Sequence, residues 1–321
     1  MKNQSYKIGL EVIDLQIKAL KKLKTSINQS FVQAVNVIKK CKSKVIICGV
    51  GKSGLIASKI ASTLSSVGTA SFSVLANECS HGDLGKISSN DILIIISNSG
   101  NTEELKNIIK YAKINKIFLI SIVSNINSYL YKSANINILI PTVKEAGDEI
   151  VPTSSTTTQL AIGDALSIAL MKIKKFGKLD FKKFHPGGNL GAKLKTASEI
   201  MLKGNKIPFI NENEIIKNAI KILNNKNLGF LVACNKNGLI SGIFTDGDLK
   251  RLLSKKGLVI NSKLKKYITK KPFTVSEDIL ATDILEKMNK KKITNVCVYR
   301  KENKKKIVGV IHIHHLVNLL K

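Results

Sequence analysis

The sequence predicts an α/β protein in which a parallel, five-stranded αβα sandwich is followed by two small tandem modules. Between residues 44 and 140, short β-rich runs alternate with helical patterns, which implies a parallel sheet covered on both faces. Two of those runs, Val45-Ile46-Ile47-Cys48 and Asp91-Ile92-Leu93-Ile94-Ile95-Ile96, empty into glycine- and hydroxyl-rich turns. Beyond His185 a weak pattern of about 60 residues occurs twice, as expected of paired modules that cover each other's apolar faces.

The elements follow in order. Residues 8 to 41 read as one or two helices, with Leu10, Ile13, Ile17, Leu20 and Leu23 three or four apart, packing outside the sheet or against a partner subunit. Strands are expected at 44–48, 70–75, 92–96, 117–122 and 136–140, with helices beginning near 53, 101 and 127. Ser154 to Lys174 is a further helix, opened by a Ser/Thr-rich start and ended near Gly177. The run His185-Pro186-Gly187-Gly188-Asn189-Leu190-Gly191 disfavours regular structure. After it, the segment Gly242 to Leu253 matches Gly309 to Leu320 in its glycine, its apolar positions and its final Leu-Leu. Upstream of each copy stand a helical run (Ile215 to Leu223; Ala281 to Met288) and a short strand (Phe230 to Cys234; Asn295 to Tyr299). The boundaries expected are N-terminal helices over 1–42, the sandwich over 43–185, a linker over 186–198, and modules over 199–257 and 262–321.

Composition narrows the function classes. The formal charge is +30, yet all but two of the 52 basic residues (Arg251 and Arg300) are lysines, scattered along the chain. No basic stripe with interleaved aromatics is present, so nucleic acid is not an expected partner. The five cysteines are odd in number and form no CxxC pair, which argues against a disulfide framework or zinc knuckle and fits a reducing cytosol. The N-terminus lacks the apolar core of a signal peptide, and no apolar run approaches the ~20 residues that span a bilayer, so no membrane association is expected.

The two turns carry the chemistry. In Ser97-Asn98-Ser99-Gly100-Asn101-Thr102-Glu103-Glu104 a buried strand gives way to hydroxyls and then a helix, so backbone N–H groups, hydroxyls and a positive dipole end converge on an anion, for which phosphate is the natural candidate. Gly49-Val50-Gly51-Lys52-Ser53-Gly54 repeats the design and adds a cation. The expected phosphate ligands are Ser97, Ser99 and Thr102, with Ser53, Ser154, Ser155 and Thr156 as a second ring; the bland alternative is that each hydroxyl merely caps a helix. Gly51-Lys52-Ser53 lacks the spacing of a nucleotide-binding P-loop, because Ile46 stands where its first glycine belongs, which argues against an ATPase. Acid/base candidates at the strand ends and loops are Glu104, Glu145, His81 and His185. A metal held by Glu78, Cys79, His81 and Asp83 is not expected, since their spacing matches no familiar ligand set. His312, His314 and His315 read as an incidental cluster, with alternation placing 312 and 314 on one strand face.

GVGKSG, SHGDLG, ISNSGNTEE, VKEAG, PTSSTTT, GDAL and HPGGNLG, in that order and followed by two CBS-type repeats, closely resemble the D-arabinose-5-phosphate isomerases, which join a sugar isomerase (SIS) domain to a CBS pair. The resemblance covers nearly the whole chain. It implies interconversion of D-ribulose 5-phosphate and D-arabinose 5-phosphate through a cis-enediol, feeding Kdo and lipopolysaccharide synthesis, without metal or other cofactor and in a homotetramer. It implicates Lys52, His81, Glu104, Glu145 and His185, and has His185 reach the site of a neighbouring subunit. Glu145 or Glu104 would shuttle the proton between C1 and C2, Lys52 would stabilise enediolate charge, His81 would position a hydroxyl, and His185 would assist ring opening. In the first CBS repeat, Thr245 and Asp248 follow Gly242 in the GxxTxxD pattern for a nucleotide-type ligand, whereas the second repeat has His312 and His315 there. The chain also departs from the family pattern in Ala146 to Val151, a loop shorter and more acidic than expected. The alternatives are another sugar-phosphate isomerase and a non-catalytic SIS-CBS sensor of sugar phosphates.

Overall fold

Strands β1 (Val45–Gly49) and β3 (Ile92–Ser97) are buried at every residue, as aliphatic runs must be when helices cover both faces of a parallel sheet. In the computed structural model of this chain, which describes residues 2–185, 187, 194–254 and 260–320, the residues form two units, Met1–Phe184 and His185–Lys321. β1 and β3 are central to the first. Beside them lie β2 (Ser71–Leu75), β4 (Phe118–Val123) and β5 (Ile136–Leu139), all parallel, in the order β2-β1-β3-β4-β5.

Alternate residues of each strand enter two separate cores. Val45 and Ile47 of β1, with Ile94 and Ile96 of β3, pack under α2 (Gln29–Lys40), α3 (Gly51–Ser66) and α7 (Ser154–Ile173), where Phe31, Ile60, Leu64 and Leu166 are buried. Ile46 and Cys48, with Leu93 and Ile95, face α4 (Ala76–Cys79), α5 (Leu105–Ile114) and α6 (Tyr129–Ser133), meeting Leu105, Ile108 and Leu130. Truncating a fully buried isoleucine such as Ile94 to alanine costs about 2–5 kcal/mol in such a core.

Each of the five strands of this sheet lies within one residue of its expected span, and α3 and α6 begin within two residues of 53 and 127. The helix expected near 101 begins only at Leu105. The intervening chain is spent on a tight turn in which Gly100 has φ +70°, and a Cβ there would fall 2.3 Å from Ser128 Oγ. At the N-terminus, α1 (Lys2–Leu23) packs on α7 and buries Ala19 and Leu23, but Leu10, Ile13, Ile17 and Leu20 remain exposed. α8 (Lys178–Phe184) closes the unit.

The second unit repeats one plan. After α9 (Ala197–Ile200), the first repeat comprises β6 (Phe209–Asn211), α10 (Ile216–Lys226), β7 (Phe230–Cys234), β8 (Ile240–Thr245) and α11 (Asp246–Leu253). The second comprises β9 (Thr274–Ser276), α12 (Ala281–Lys291), β10 (Asn295–Arg300), β11 (Asn303–His312) and α13 (Ile313–Leu320). In each sheet the middle strand, β7 or β10, pairs in parallel with the strand before it and antiparallel with the strand after it. Phe230, Val232 and Cys234 share a core with Cys297, Ile307 and Val310, so the two repeats cover each other's apolar faces.

Candidate functional site

The strand order reverses between β1 and β3: the chain leaves β1 for β2 on one side and returns to β3 on the other. In open parallel sheets the loops diverge at that point and leave a crevice beyond the carboxyl ends of the strands. Here a crevice of about 340 Å³ is lined by Lys52, Ser53, Asn98, Glu145, Ser155 and Thr156, together with Val50, Glu149, Ile150 and Pro152. Lys52, Ser53, Glu145, Ser155 and Thr156, which are dispersed in the sequence, are thus brought together. Asn98, Glu149 and Ile150 are lining residues that sequence reasoning missed; Asn98 lies between two serines already selected, and that position was the available signal.

Local structure sets each side of the crevice. Lys52 and Ser53 open α3, whose N-cap, Val50, offers no side-chain acceptor, so the positive end of a 16-residue helix faces the switch point uncapped by a side chain. Lys52 is exposed and Ser53 half-buried. On the β3 side, Ser97 is 4% exposed; its Oγ accepts from Gly100 N at 3.0 Å and lies 3.2 Å from Thr102 Oγ1. Ser99 is exposed and accepts from Asn101 N at 3.3 Å. These hydroxyls organise the turn that carries Asn98 and do not themselves line the crevice.

Glu145 occupies the N-terminus of α7. Its Oε2 accepts from Thr153 N and Ser154 N, both at 2.7 Å, from Thr153 Oγ1 at 3.1 Å and from Ser155 N at 3.2 Å, whereas Oε1 has one longer contact, 3.3 Å from Ser155 N. Partial burial pushes the carboxyl up, but the hydrogen bonds from Ser155 and Thr153 outweigh it and hold the group below the usual carboxylate range. The loop beyond is tight: Gly147, Asp148 and Glu149 all have positive φ, and Ala146 pairs with Val151 across it. In this structure the first N–H groups of α7 serve the protein's own carboxylate, so Ser154 and Ser155, expected in a phosphate ring, supply backbone donors to Glu145.

The remaining candidates are placed apart from the crevice lining. Glu104 is the N-cap of α5 rather than one turn inside it, because the turn at Gly100 delays the helix; its side chain is exposed and makes no capping bond. His81 is exposed in the turn after α4, its backbone N–H donating to Glu78 O at 2.9 Å. Near it Asp83 pairs with Lys86 at 2.6 Å and Cys79 is buried in the core that contains Cys48. Among the described residues no group of three or more His, Cys, Asp and Glu side chains is arranged to hold a metal ion. His185 opens the second unit, and Pro186, Gly188, Asn189, Leu190 and Gly191 lie outside the described residues.

In the second unit Thr245 and Asp248 form a capping box on α11. Asp248 Oδ2 accepts from Thr245 N at 2.9 Å and Thr245 Oγ1 at 2.8 Å, while Oδ1 pairs with Arg251. A crevice of about 800 Å³ is lined by Thr245, Asp246, Arg251, Lys292, His312 and His314 among others, without Asp248. His312 ends β11 and His314 is already in α13, so the two do not alternate on one strand face; the rings nevertheless lie 4.8 Å apart. Burial, and then the imidazoles of His314 and His315, hold His312 below the usual histidine range.

Comparison with known proteins agrees with this architecture. The SIS domain model matches residues 38–169, and the CBS domain model matches residues 197–255 and 264–321. A solved structure from E. coli CFT073, in complex with arabinose 5-phosphate, superposes with a TM-score of 0.56 at 36% identity, covering 58% of this chain and all of that one. Arabinose 5-phosphate isomerase KdsD of Yersinia pestis is 39% identical over 96% of this chain and 94% of its own. That of Francisella tularensis subsp. tularensis is 41% identical over 97% and 96%. With the sugar isomerase sandwich, both CBS repeats and this identity along nearly the full length of each partner, the chain belongs to the arabinose 5-phosphate isomerase family.

Proposed function

We propose that this chain interconverts D-ribulose 5-phosphate and D-arabinose 5-phosphate, the step that supplies Kdo and lipopolysaccharide synthesis. The observation that carries the reading is the convergence of Lys52, Ser53, Asn98 and Glu145 on one crevice at the sheet's switch point. Moving a proton between C1 and C2 needs a positioned base and a charge that stabilises the enediolate.

Glu145 suits the base. Oε2 is anchored by the α7 N-terminus, which fixes the side chain, while Oε1 keeps lone pairs for a substrate proton. Its lowered pKa leaves it ionised at neutral pH, at some cost in basicity. Lys52 supplies positive charge to the enediolate oxygen. Ser53 at the open end of α3 holds the 5-phosphate, and Ser97, Ser99 and Thr102 act on it indirectly, by organising the turn after β3 that brings Asn98 to the crevice. Ser154, Ser155 and Thr156 support the same pocket through the first turn of α7. Glu104 is the competing carboxylate, His81 positions a hydroxyl, and His185 assists ring opening.

We also infer a homo-oligomer, a tetramer by the family resemblance. Supporting it, Tyr6, Leu10, Ile13, Ile17 and Leu20 of α1 are exposed by 37% to 67% and spaced alternately four and three apart, the seam of a helix that packs on another. The five free cysteines support a reducing cytoplasm. The CBS pair is the proposed site of a nucleotide-type ligand, through Thr245 and, after release from its cap, Asp248.

Incubating the purified protein with D-ribulose 5-phosphate and resolving the products by chromatography tests the activity. D-arabinose 5-phosphate is the expected product; an unchanged substrate pool, or a different aldose phosphate, would overturn the reading.

A further inference from the structure

The seam between α3 and α7 leads to the crevice. At Gly163 a Cβ would stand 2.2 Å from Ile60 Cδ1, so the helices approach this closely only without a side chain there. One turn earlier on α7 is Gln159, and two turns before Ile60 on α3 is Ser53. The Ser53 hydroxyl donates to Gln159 Oε1 at 3.1 Å. Gln159 is 1% exposed, and its Nε2 has no hydrogen-bond partner among the described residues.

That pairing governs what Ser53 can offer an anion. A hydroxyl has one proton; while Gln159 Oε1 takes it, Ser53 presents only lone pairs to the crevice. A phosphate dianion needs donors. Turning the Gln159 amide by 180° exchanges its two ends, so that Nε2 donates to Ser53 Oγ and the hydroxyl proton becomes free to point into the crevice. The exchange also satisfies the buried N–H that is unpaired here and leaves a carbonyl in its place, the better tolerated of the two.

We propose that Gln159 is a positioning residue for the isomerisation: in the substrate complex its amide donates to the Ser53 hydroxyl, so that Ser53 donates to the 5-phosphate. This rests on the reading of Ser53 as a phosphate ligand. No sequence motif marks Gln159, which stands just beyond the Ser/Thr run that opens α7.

Steady-state kinetics with D-arabinose 5-phosphate on Gln159→Met, Ser53→Ala and the double variant test it, with circular dichroism confirming the fold. Gln159→Met removes acceptor and donor together, leaving the Ser53 proton free but its hydroxyl unheld, so KM is expected to rise only about two- to three-fold with kcat nearly unchanged, whereas ionised Gln159→Glu, which keeps the proton, is expected to raise KM about ten-fold, the loss of one charge-assisted hydrogen bond. In the Ser53→Ala background the same change should leave KM unaltered. An equal rise in both backgrounds, or a fall in kcat at constant KM, would overturn the relay. Ser53→Ala with the parental KM would overturn the phosphate assignment and the relay together, whereas Ser53→Ala raising KM while Gln159→Met does not would overturn the relay alone. Gln159→Glu supplies a second readout: ionised, it can only accept, so its KM relative to the parent should fall as pH is lowered and the carboxyl gains a proton to donate. A pH-independent ratio would contradict the proposal.

Discussion

Glu145 Oε2 lies 2.7 Å from the backbone nitrogen of Ser154, placing a carboxylate from the loop after β5 on the first turn of α7. The same carboxylate lines the crevice. One residue therefore ties the helix to the loop and presents an oxygen to the substrate, and the two duties are separable by experiment.

The capping duty is expected to appear as pH-dependent stability. Because the folded-state pKa of Glu145 is lowered, its contribution is full above the unfolded carboxylate value and is lost as pH falls through the folded one. Replacing it with glutamine should lower stability at pH 7 by about 1 kcal/mol, a cap-sized effect for a half-buried group. Chemical denaturation of both proteins from pH 7 down to pH 3 should show that difference shrinking below the carboxylate range; a constant difference would separate the cap from the charge.

Glu103 and Glu104 provide a paired test of the competing carboxylate. Glu103 is 77% exposed and bonds Lys106 at 2.6 Å, whereas Glu104 caps α5 without a side-chain hydrogen bond. Glu103 precedes the cap, in the turn before α5, and its carboxylate is taken by Lys106, so the two do not offer a substrate the same group. Glu104→Gln is expected to reduce kcat more than Glu103→Gln and less than Glu145→Gln. A Glu104→Gln loss exceeding that of Glu145→Gln would transfer the proton shuttle to Glu104.

Much of this was legible in the sequence. The sheet could be read because its central strands β1 and β3 are apolar runs closed by glycine- and hydroxyl-rich turns, and the two repeats because their Gly-to-Leu-Leu segments align. What escaped was set by contacts distant in sequence. Of the stripe Leu10, Ile13, Ile17, Leu20 and Leu23, read as packing on the sheet or on a partner subunit, only Leu23 is buried, and Ala19, outside the stripe, is buried with it. Glu104 slipped from inside the helix to its cap because the turn at Gly100, fitted against Ser128, consumes the residues expected to form its first turn. Gln159 carries no motif; only the approach of α3 to α7 shows that it meets Ser53.

A chain of residues 1–190 is expected to retain isomerase activity, since it holds the whole first unit and His185. Turnover and circular dichroism measured together check this. A folded but inactive fragment would mean that the repeats complete the active site.

Asp248 is expected to act first as a cap. Its carboxylate takes both groups of Thr245 and the Arg251 guanidinium, so Asp248→Ala should destabilise the protein by about 1 kcal/mol in denaturant titrations before any ligand is added. Stability equal to that of the parent would show the box to be energetically idle.

The measurement that bears most directly on the crevice as the catalytic centre is the turnover of D-ribulose 5-phosphate by the parent and by Glu145→Gln, side by side. The parent should form D-arabinose 5-phosphate, and Glu145→Gln should bind substrate with similar KM while kcat falls by about 10²-fold or more, the range of a lost acid/base group. A Glu145→Gln protein that turns over at the parent rate would contradict the assignment.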